Sequence, residues 1–268
     1  MAQQKWLIDG PKVIDIEQVR KLKVALIAGQ VDIVGHDEPT ARIEVHSVSG
    51  KELRISIDGD TLEIDHPQLR WDNFIDVFRS FRGSASADIS IVVPRDVALK
   101  FGVVSASALI SGLTEDASIS TVSGDVVIDG VYGDLSLNSV SGELAVRNHY
   151  GNIAAHTVSG DVTANGEVVK FSSDGVSGDV FLDFSCSPDE VRVNTVSGNV
   201  TVRLESGFGA QYRINTLTGR LQLDESEITG VRGSYTGKYG TLDRSWLEFR
   251  ANTVSGNVAV LHQEKATA

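Results

Sequence analysis

The sequence contains one cysteine, Cys186, and only five prolines in 268 residues. A single cysteine excludes an internal disulfide framework and suits a reducing compartment. No proline occurs between Pro94 and Pro188, as a continuous ladder of hydrogen-bonded strands requires. No apolar run approaches the roughly 20 residues that span a bilayer, and residues 1–6 lack the basic and apolar regions of a signal peptide. We therefore expect a cytoplasmic protein, with association to the cell envelope as the alternative.

Basic residues are also scarce, with 24 Lys and Arg against 36 Asp and Glu, so the net charge is −12. Nucleic acid is excluded as a partner of the whole surface and a membrane surface is disfavoured, because both attract basic proteins. The sequence lacks a G-x-S-x-G nucleophile turn, a Walker-type phosphate loop, an H-E-x-x-H zinc motif and paired cysteines. We therefore predict a protein that is not an enzyme and that uses no cofactor.

A short motif, Val-Ser-Gly followed by an acidic and an apolar residue, recurs through the chain. Its first four copies have glycines at 124, 142, 160 and 178, so the period (142−124, 160−142, 178−160) is 18 residues each time. Variants follow at 196–200, 217–221 and 254–258. A fixed short period is typical of a solenoid, in which each coil is too small to bury its own apolar face.

Apolar residues flank each copy at a spacing of two, which predicts a short strand on either side of the motif. We expect the motif glycine to turn the corner by adopting φ > 0 and the serine to hydrogen-bond the turn backbone. The predicted fold is an all-β, parallel β-solenoid of about 18–21 residues per coil, right-handed as parallel crossovers usually are.

The irregular parts of the sequence suggest the boundaries of the domain. Residues 1–22 are predicted to form an N-terminal lead or cap, and residues 263–268 a tail. A single solenoid domain is predicted over 23–262. It comprises irregular strands over 23–99, regular repeats over 117–204 and longer coils over 205–262. Within the irregular part, Asp58-Gly59-Asp60 between alternating strands predicts a hairpin.

The motif copies at 122–126, 158–162 and 176–180, with their variants, resemble those of a bacterial family of unknown function, the toast-rack type of "putative adhesin". The resemblance covers roughly residues 23–262. It implies a solenoid of β-strand repeats that acts in cell-envelope stress, signalling or adhesion, and it implies no catalytic residues.

Two segments are candidates for contact with a partner. Residues 66–83 place Trp71, Phe74, Phe78 and Phe81 at helical spacing, which predicts a short aromatic helix or loop that either caps the solenoid or docks a partner. Residues 225–242 form a predicted loop that carries Tyr235 and Tyr239, and inserted loops on one face of a solenoid often bind ligands.

Four carboxylates, Asp125, Glu143, Asp161 and Asp179, occupy the same position of successive repeats and are expected to stack into an acidic column. They are weak candidates for a divalent-cation site. The alternatives are carboxylates that bind or cleave polysaccharide and solvated turn residues that keep the surface soluble.

Taken together, these observations predict a non-catalytic β-solenoid that acts as a scaffold for an unidentified protein partner, in envelope stress or regulation. The first alternative is a carbohydrate-binding or carbohydrate-cleaving β-helix. The second is a structural protein that forms homo-oligomers by stacking the ends of its solenoid, as open strand edges invite.

Overall fold

The computed structural model describes residues 4–67, 85–205, 207–229, 233–242 and 246–263, and every regular element among them is a β-strand. None of the described residues belongs to a helix that could cross a membrane. The contacts divide the chain into two compact units, residues 1–135 and 136–268. The predicted aromatic helix or loop lies almost wholly on residues 68–84, outside the described residues.

The described residues of unit 1 form twelve strands. They are β1 (Gln4–Ile8), β2 (Lys12–Ile16), β3 (Lys21–Leu26), β4 (Ala28–His36), β5 (Ala41–Ser49), β6 (Leu53–Asp58), β7 (Thr61–Asp65), β8 (Ser86–Pro94), β9 (Ala98–Val103), β10 (Ser107–Ser111), β11 (Ala117–Thr121) and β12 (Val126–Asp129).

The strands of unit 1 form two series of pairings. One runs β2-β5-β8-β4-β10-β12 and the other β1-β6-β7-β3-β9-β11. Consecutive strands such as β3 and β4 therefore contribute one strand to each series, as the two faces of a coil do. The β3/β4 coil lies between the β7/β8 and β9/β10 coils, so coil order in space differs from order in sequence.

Two details of unit 1 test the sequence interpretation. The predicted hairpin is confirmed, since β6 and β7 pair antiparallel around Gly59, whose φ is +64°. Gly112 precedes Gly124 by only 12 residues, which suggests that the first coil is short. That interpretation is wrong. Ser123 donates its backbone N–H to the Val104 carbonyl oxygen, so Val104-Ser105-Ala106 is the preceding copy and the step (124−106) is the usual 18.

Unit 2 contains the remaining strands, of which the first begins at the last residue of unit 1. They are β13 (Leu135–Ser139), β14 (Leu144–Thr157), β15 (Val162–Asp174), β16 (Val180–Phe184), β17 (Glu190–Asn194), β18 (Val200–Leu204), β19 (Gly209–Thr216), β20 (Leu221–Leu223), β21 (Ser226–Ile228), β22 (Gly233–Tyr239), β23 (Trp246–Asn252) and β24 (Val258–His262).

The strands of unit 2 also pair in two series. One runs β14-β15-β16-β18-β24-β20-β21 and the other β14-β15-β17-β23-β19-β22, since the long strands β14 and β15 contribute to both. The last coil in the sequence, β23/β24, therefore lies between the β17/β18 and β19/β20 coils. The antiparallel strands β21 and β22 follow the final coil.

The interior of unit 2 consists of the alternating apolar residues that the repeat predicts. Phe171, Phe184 and Phe249 are its largest fully buried side chains. The Phe171 and Phe184 rings lie 6.3 Å apart in a tilted arrangement, which aromatic pairs favour over a face-to-face stack. The β-solenoid prediction is confirmed, whereas its handedness and the single-domain boundaries stay predictions.

Candidate functional site

Most corners of the repeat are closed by a threonine or serine three residues before the glycine, whereas Gly175 holds that place before Gly178. At Thr157 the side-chain oxygen accepts the Gly160 N–H, and the hydroxyl donates to the Gly160 carbonyl oxygen, both at 2.9 Å. Thr195, Thr216 and Thr253 accept the corresponding glycine N–H at 2.8–3.1 Å. The sequence signal, Thr-Val-Ser-Gly rather than Val-Ser-Gly alone, was missed in the sequence analysis.

The motif glycines are required by close packing, and the expectation that they adopt φ > 0 is wrong. None of the motif glycines at 124, 142, 160, 178, 198, 219 or 256 has a positive φ. A Cβ on Gly178 would instead lie 2.0 Å from the Gly160 carbonyl oxygen, and one on Gly198 would lie 1.9 Å from that of Gly178. Adjacent coils therefore approach through their backbones at this corner, which leaves no room for a side chain.

The motif serine hydrogen-bonds turn backbone, as predicted, and the turn that it bonds belongs to the neighbouring coil. Ser159 Oγ donates to the Val140 carbonyl oxygen at 3.1 Å, and Ser177 Oγ donates to that of Val158 at 3.4 Å. The valine before the serine is 37–50% exposed in unit 2, so its side chain points away from the interior. The corner thus exposes an aliphatic side chain in every coil of unit 2.

These side chains form a continuous line, which we call the valine ridge. Backbone N–H groups of each corner donate to the carbonyl oxygen of the corner before it, which fixes the order of the line. The exposed fractions run from 37% to 58%. In spatial order the ridge consists of Val140, Val158, Val176, Val196, Val254 and Leu217.

The same corner position is buried in unit 1. Ile27, Val104 and Val122 occupy it, and their exposed fractions are 7%, 8% and 4%. They pack in one apolar cluster with Ala25 and Ala85, of which Ala85 lies outside the coil corners. Aliphatic side chains at this corner can therefore be buried under other protein groups. Among the described residues of unit 2, none buries them.

The predicted acidic column borders the valine ridge on one side, three residues after each valine. Asp161 Oδ1 accepts the Asp179 N–H at 2.8 Å, and Asp179 Oδ1 accepts the Asn199 N–H at 2.8 Å. Asn199 and Asn257 continue the line with the same bond, and Arg220 ends it. The column in unit 2 is thus a hydrogen-bond ladder in which side chains satisfy backbone donors of the next coil.

This ladder explains why carboxylates stand in successive coils at this position. Carboxylate and amide oxygens both accept a backbone N–H, so aspartate and asparagine replace one another along it. Asp125 holds the equivalent place in unit 1, where its carbonyl oxygen accepts the Ala108 N–H. Across the part of the chain that the structure describes, no three His, Cys, Asp or Glu side chains are grouped to hold a metal ion.

A second column borders the ridge on its other side, two residues before each valine. Asn194 Nδ2 donates to Asp174 Oδ1, Asn252 Nδ2 to Asn194 Oδ1 and Asn215 Nδ2 to Asn252 Oδ1, each at 2.6 Å. His156 Nδ1 lies 3.6 Å from Asp174 Oδ2. This amide column was also missed, although asparagine recurs at that position of the sequence.

Tyr235 and Tyr239 lie on β22, and the prediction of a loop over residues 225–242 is wrong, because β21 and β22 are strands that pair with the β19/β20 coil. Both tyrosines are half-buried opposite the buried Ile214 and Ala210. The Tyr239 ring stacks on that of His262 at 3.7 Å. These contacts place them in the cap of unit 2.

A role for either tyrosine in binding a partner stays a prediction. The other four aromatic candidates, Trp71, Phe74, Phe78 and Phe81, lie outside the described residues.

The cap contains a polar pair that the sequence did not reveal. His262 Nδ1 lies 3.0 Å from Asp224 Oδ1, which also accepts the His262 backbone N–H at 2.7 Å. Asp224 has a positive φ of 51° in the turn between β20 and β21. Burial, with a smaller contribution from Asp224, raises the pKa of the neighbouring Tyr212. These contacts tie β20, β22 and β24 together.

A groove of about 660 Å³ lies in unit 2 at the end of the acidic column. Thr201, Gln222 and the apolar Val200 and Leu221 contribute to its wall. No aromatic side chain is among its lining residues. Its charged and amide lining comprises Asp179, Asn199, Asn257, Arg220, Glu225 and Glu227.

Comparison with known proteins gives one family and several structures. The family model Toastrack DUF4097 matches residues 18–261. The "Putative lipid binding protein" of Parabacteroides distasonis is 14% identical, and the similarity covers 95% of this chain and 99% of that one with a TM-score of 0.53. The "putative adhesin" of Parabacteroides merdae is also 14% identical, with 98% and 96% covered and a TM-score of 0.46. No curated protein matches the chain. At such identity a structural likeness shows the fold alone.

Proposed function

We propose that this chain, which belongs to the Toastrack DUF4097 family, is a non-catalytic β-solenoid scaffold that binds protein through the valine ridge. The observation that carries the proposal is the line of exposed aliphatic side chains at every corner of unit 2. The setting that we propose is bacterial cell-envelope stress or regulation.

The ridge is larger than a scatter of surface apolar residues. Single exposed valines are ordinary on protein surfaces, but five valines and one leucine in one line, each at least 37% exposed, form a contiguous patch on the order of 400 Å². A patch of this size equals the largest one on a typical monomer, which is often functional, and a polar border is a feature of interaction sites. The ladders on both sides of the ridge supply such a border.

Folding alone gives little reason for this arrangement. The Thr–Gly bonds, the glycine contact and the serine bond hold the corner together without the valine side chain. A polar β-branched residue such as threonine would suit the same extended backbone. Exposed aliphatic groups at these positions therefore favour a role in binding.

The hydrogen bonds of the carboxylates support a non-enzymatic role. Asp161 and Asp179 each accept a backbone N–H of the next coil. These bonds account for both carboxylates by a structural role between neighbouring coils.

The test compares which proteins are captured from native lysate by the intact chain and by a triple variant, Val158→Ser, Val176→Ser and Val196→Ser. All three positions are exposed, so the variant should fold. We expect the intact chain to retain a protein that the variant loses.

The matched control for this capture is Val34→Ser, Leu109→Ser and Val169→Ser, which changes aliphatic residues that are 39–41% exposed but lie off the ridge. Equal capture by the intact chain and the ridge variant would refute a docking role for the ridge.

The polar groove favours glycan binding as a second candidate function. Its volume of about 660 Å³ lies in the range of small-ligand sites, and its amide and carboxylate side chains match sugar hydroxyl groups as hydrogen-bond partners. A glycan array probed with the intact chain and with a Gln222→Ala, Glu227→Ala variant tests this candidate. Binding that the variant loses would support it, and an array without signal would refute it.

A further inference from the structure

We propose that the partner on the valine ridge is a second copy of this chain, docked with its ridge antiparallel to the first. The inference rests on the proposed function of the ridge and names the partner. It is carried by the order of charges along the two columns that border the ridge.

The acidic column loses its negative charge from one end of the ridge to the other. It carries three carboxylates, then two amides and then one guanidinium. Arg220 is 74% exposed, and the Glu227 carboxylate lies 3.9 Å from it. In spatial order the column reads Glu143, Asp161, Asp179, Asn199, Asn257 and Arg220.

A two-fold axis perpendicular to the ridge sets each column against the same column of the second copy in reverse order. Each carboxylate of the acidic column then faces an amide or a guanidinium, never a carboxylate. The facing pairs are Glu143 with Arg220, Asp161 with Asn257, and Asp179 with Asn199.

In the amide column too, this two-fold axis sets no carboxylate against a carboxylate. Its order along the ridge is fixed by the Asp174–Asn194–Asn252–Asn215 ladder, which is preceded by His156 and Asn138. Its one carboxylate, Asp174, faces an amide of the second copy. The facing pairs are Asp174 with Asn194, His156 with Asn252, and Asn138 with Asn215.

The parallel alternative lacks this complementarity. A two-fold axis along the ridge sets the acidic column of one copy against the amide column of the other, coil by coil. Asp179 of each copy would then face Asp174 of the other copy. Like charges in direct contact disfavour association, so the antiparallel arrangement is the one that the surface fits.

The size of the ridge sets the expected strength. Six corners about 4.8 Å apart give a line about 24 Å long. Stable complexes bury about 800 Å² on each partner, and the ridge of about 400 Å² supplies only half of that area. We therefore expect a reversible dimer with a Kd on the order of micromolar.

Sedimentation equilibrium of the purified chain tests the dimer. We expect a monomer–dimer equilibrium for the intact chain, and a Kd raised at least about tenfold in the Val158→Ser, Val176→Ser, Val196→Ser variant. The off-ridge control variant should dimerise like the intact chain. A monomer at all concentrations would refute the second copy as partner. It would leave the proposed function standing if lysate capture still depends on the ridge.

Charge reversal tests the antiparallel arrangement. Arg220→Glu should weaken the dimer about five- to tenfold because a glutamate would then face Glu143, and Glu143→Arg should weaken it similarly. The double variant, which restores opposite charges, should return to within about twofold of the intact chain. A dimer whose Kd is the same in all four proteins would refute this arrangement.

Cysteine pairing supplies a second geometric test, made in a Cys186→Ser background. Val140→Cys chains mixed with Leu217→Cys chains should form a mixed disulfide, because these two corners face each other across the two-fold axis. Val140→Cys alone should not dimerise covalently, because the two copies of that corner would lie about 24 Å apart. Covalent dimers of Val140→Cys alone would indicate a parallel arrangement and overturn the proposal.

Discussion

Replacing Gly178 by alanine adds one methyl group at the closest approach between two coils. The new Cβ would lie 2.0 Å from the Gly160 carbonyl oxygen, whereas real Cβ contacts are essentially never under 3.0 Å, so the backbones must separate by about 1 Å. Overpacking of this kind costs about 1–3 kcal/mol. The separation also stretches the Ser177 and Asp179 bonds across the same gap, at about 1 kcal/mol each. We expect a loss of about 3–5 kcal/mol in the free energy of unfolding.

Urea unfolding of the intact chain and of the Gly178→Ala variant measures this loss. Gly10→Ala is the control, since a Cβ there meets nothing within 4 Å and φ is not positive, and its effect should stay within about 0.5 kcal/mol. Gly178→Asn separates the two explanations of the glycine, because asparagine tolerates positive φ but brings the same Cβ. A Gly178→Asn protein as stable as the intact chain would refute the close-packing explanation.

Three further changes test the packing of buried polar groups. His66 is buried, and burial lowers its pKa to about 4. The unfolded chain therefore binds the proton first as pH falls, so about 2 kcal/mol of the free energy of unfolding should be lost between pH 7 and 4.5. Urea titrations at both pH values should show that His66→Gln removes this difference, and an unchanged pH dependence would contradict it. Arg54→Ala leaves the Asp65 carboxylate, whose side chain is 3% exposed, without its guanidinium partner. The free energy of unfolding should fall by roughly 3 kcal/mol, which lowers the thermal midpoint. An unshifted midpoint would show that the pair contributes nothing. Thr157→Val removes both bonds to Gly160 and should cost about 2 kcal/mol by urea unfolding, while Thr157→Ser should recover at least half of that; equal losses in the two variants would exclude the hydroxyl as the cause.

The strands and their packing were predictable because burial of apolar residues follows a period of two along every repeat. Val162 and Val180, like most motif-flanking positions, are fully or nearly fully buried in the structure. The role of the glycine was not predictable from one coil alone. A positive φ and a close approach between backbones select the same residue, and only the neighbouring coil distinguishes them.

The order of the coils was also beyond the sequence. The β3/β4 and β23/β24 coils each lie two places away from their sequence order, and such a move keeps every apolar position in register. The candidate site was likewise only partly predictable from the sequence. The repeat identified the valine but gave no reason to expect its exposure, because Val122 is buried while Val158 is half exposed at the same motif position.

The most direct test of the account places a photoactivatable cross-linking amino acid at Val176, on the ridge, and at Val169, which is 39% exposed off the ridge. Irradiation in the native host cell should give a covalent protein adduct from position 176 and none from position 169. An adduct with a second copy of this chain would support the antiparallel dimer as well. Adducts of equal yield from both positions, or from neither, would contradict the claim that the valine ridge is where this protein binds its partner.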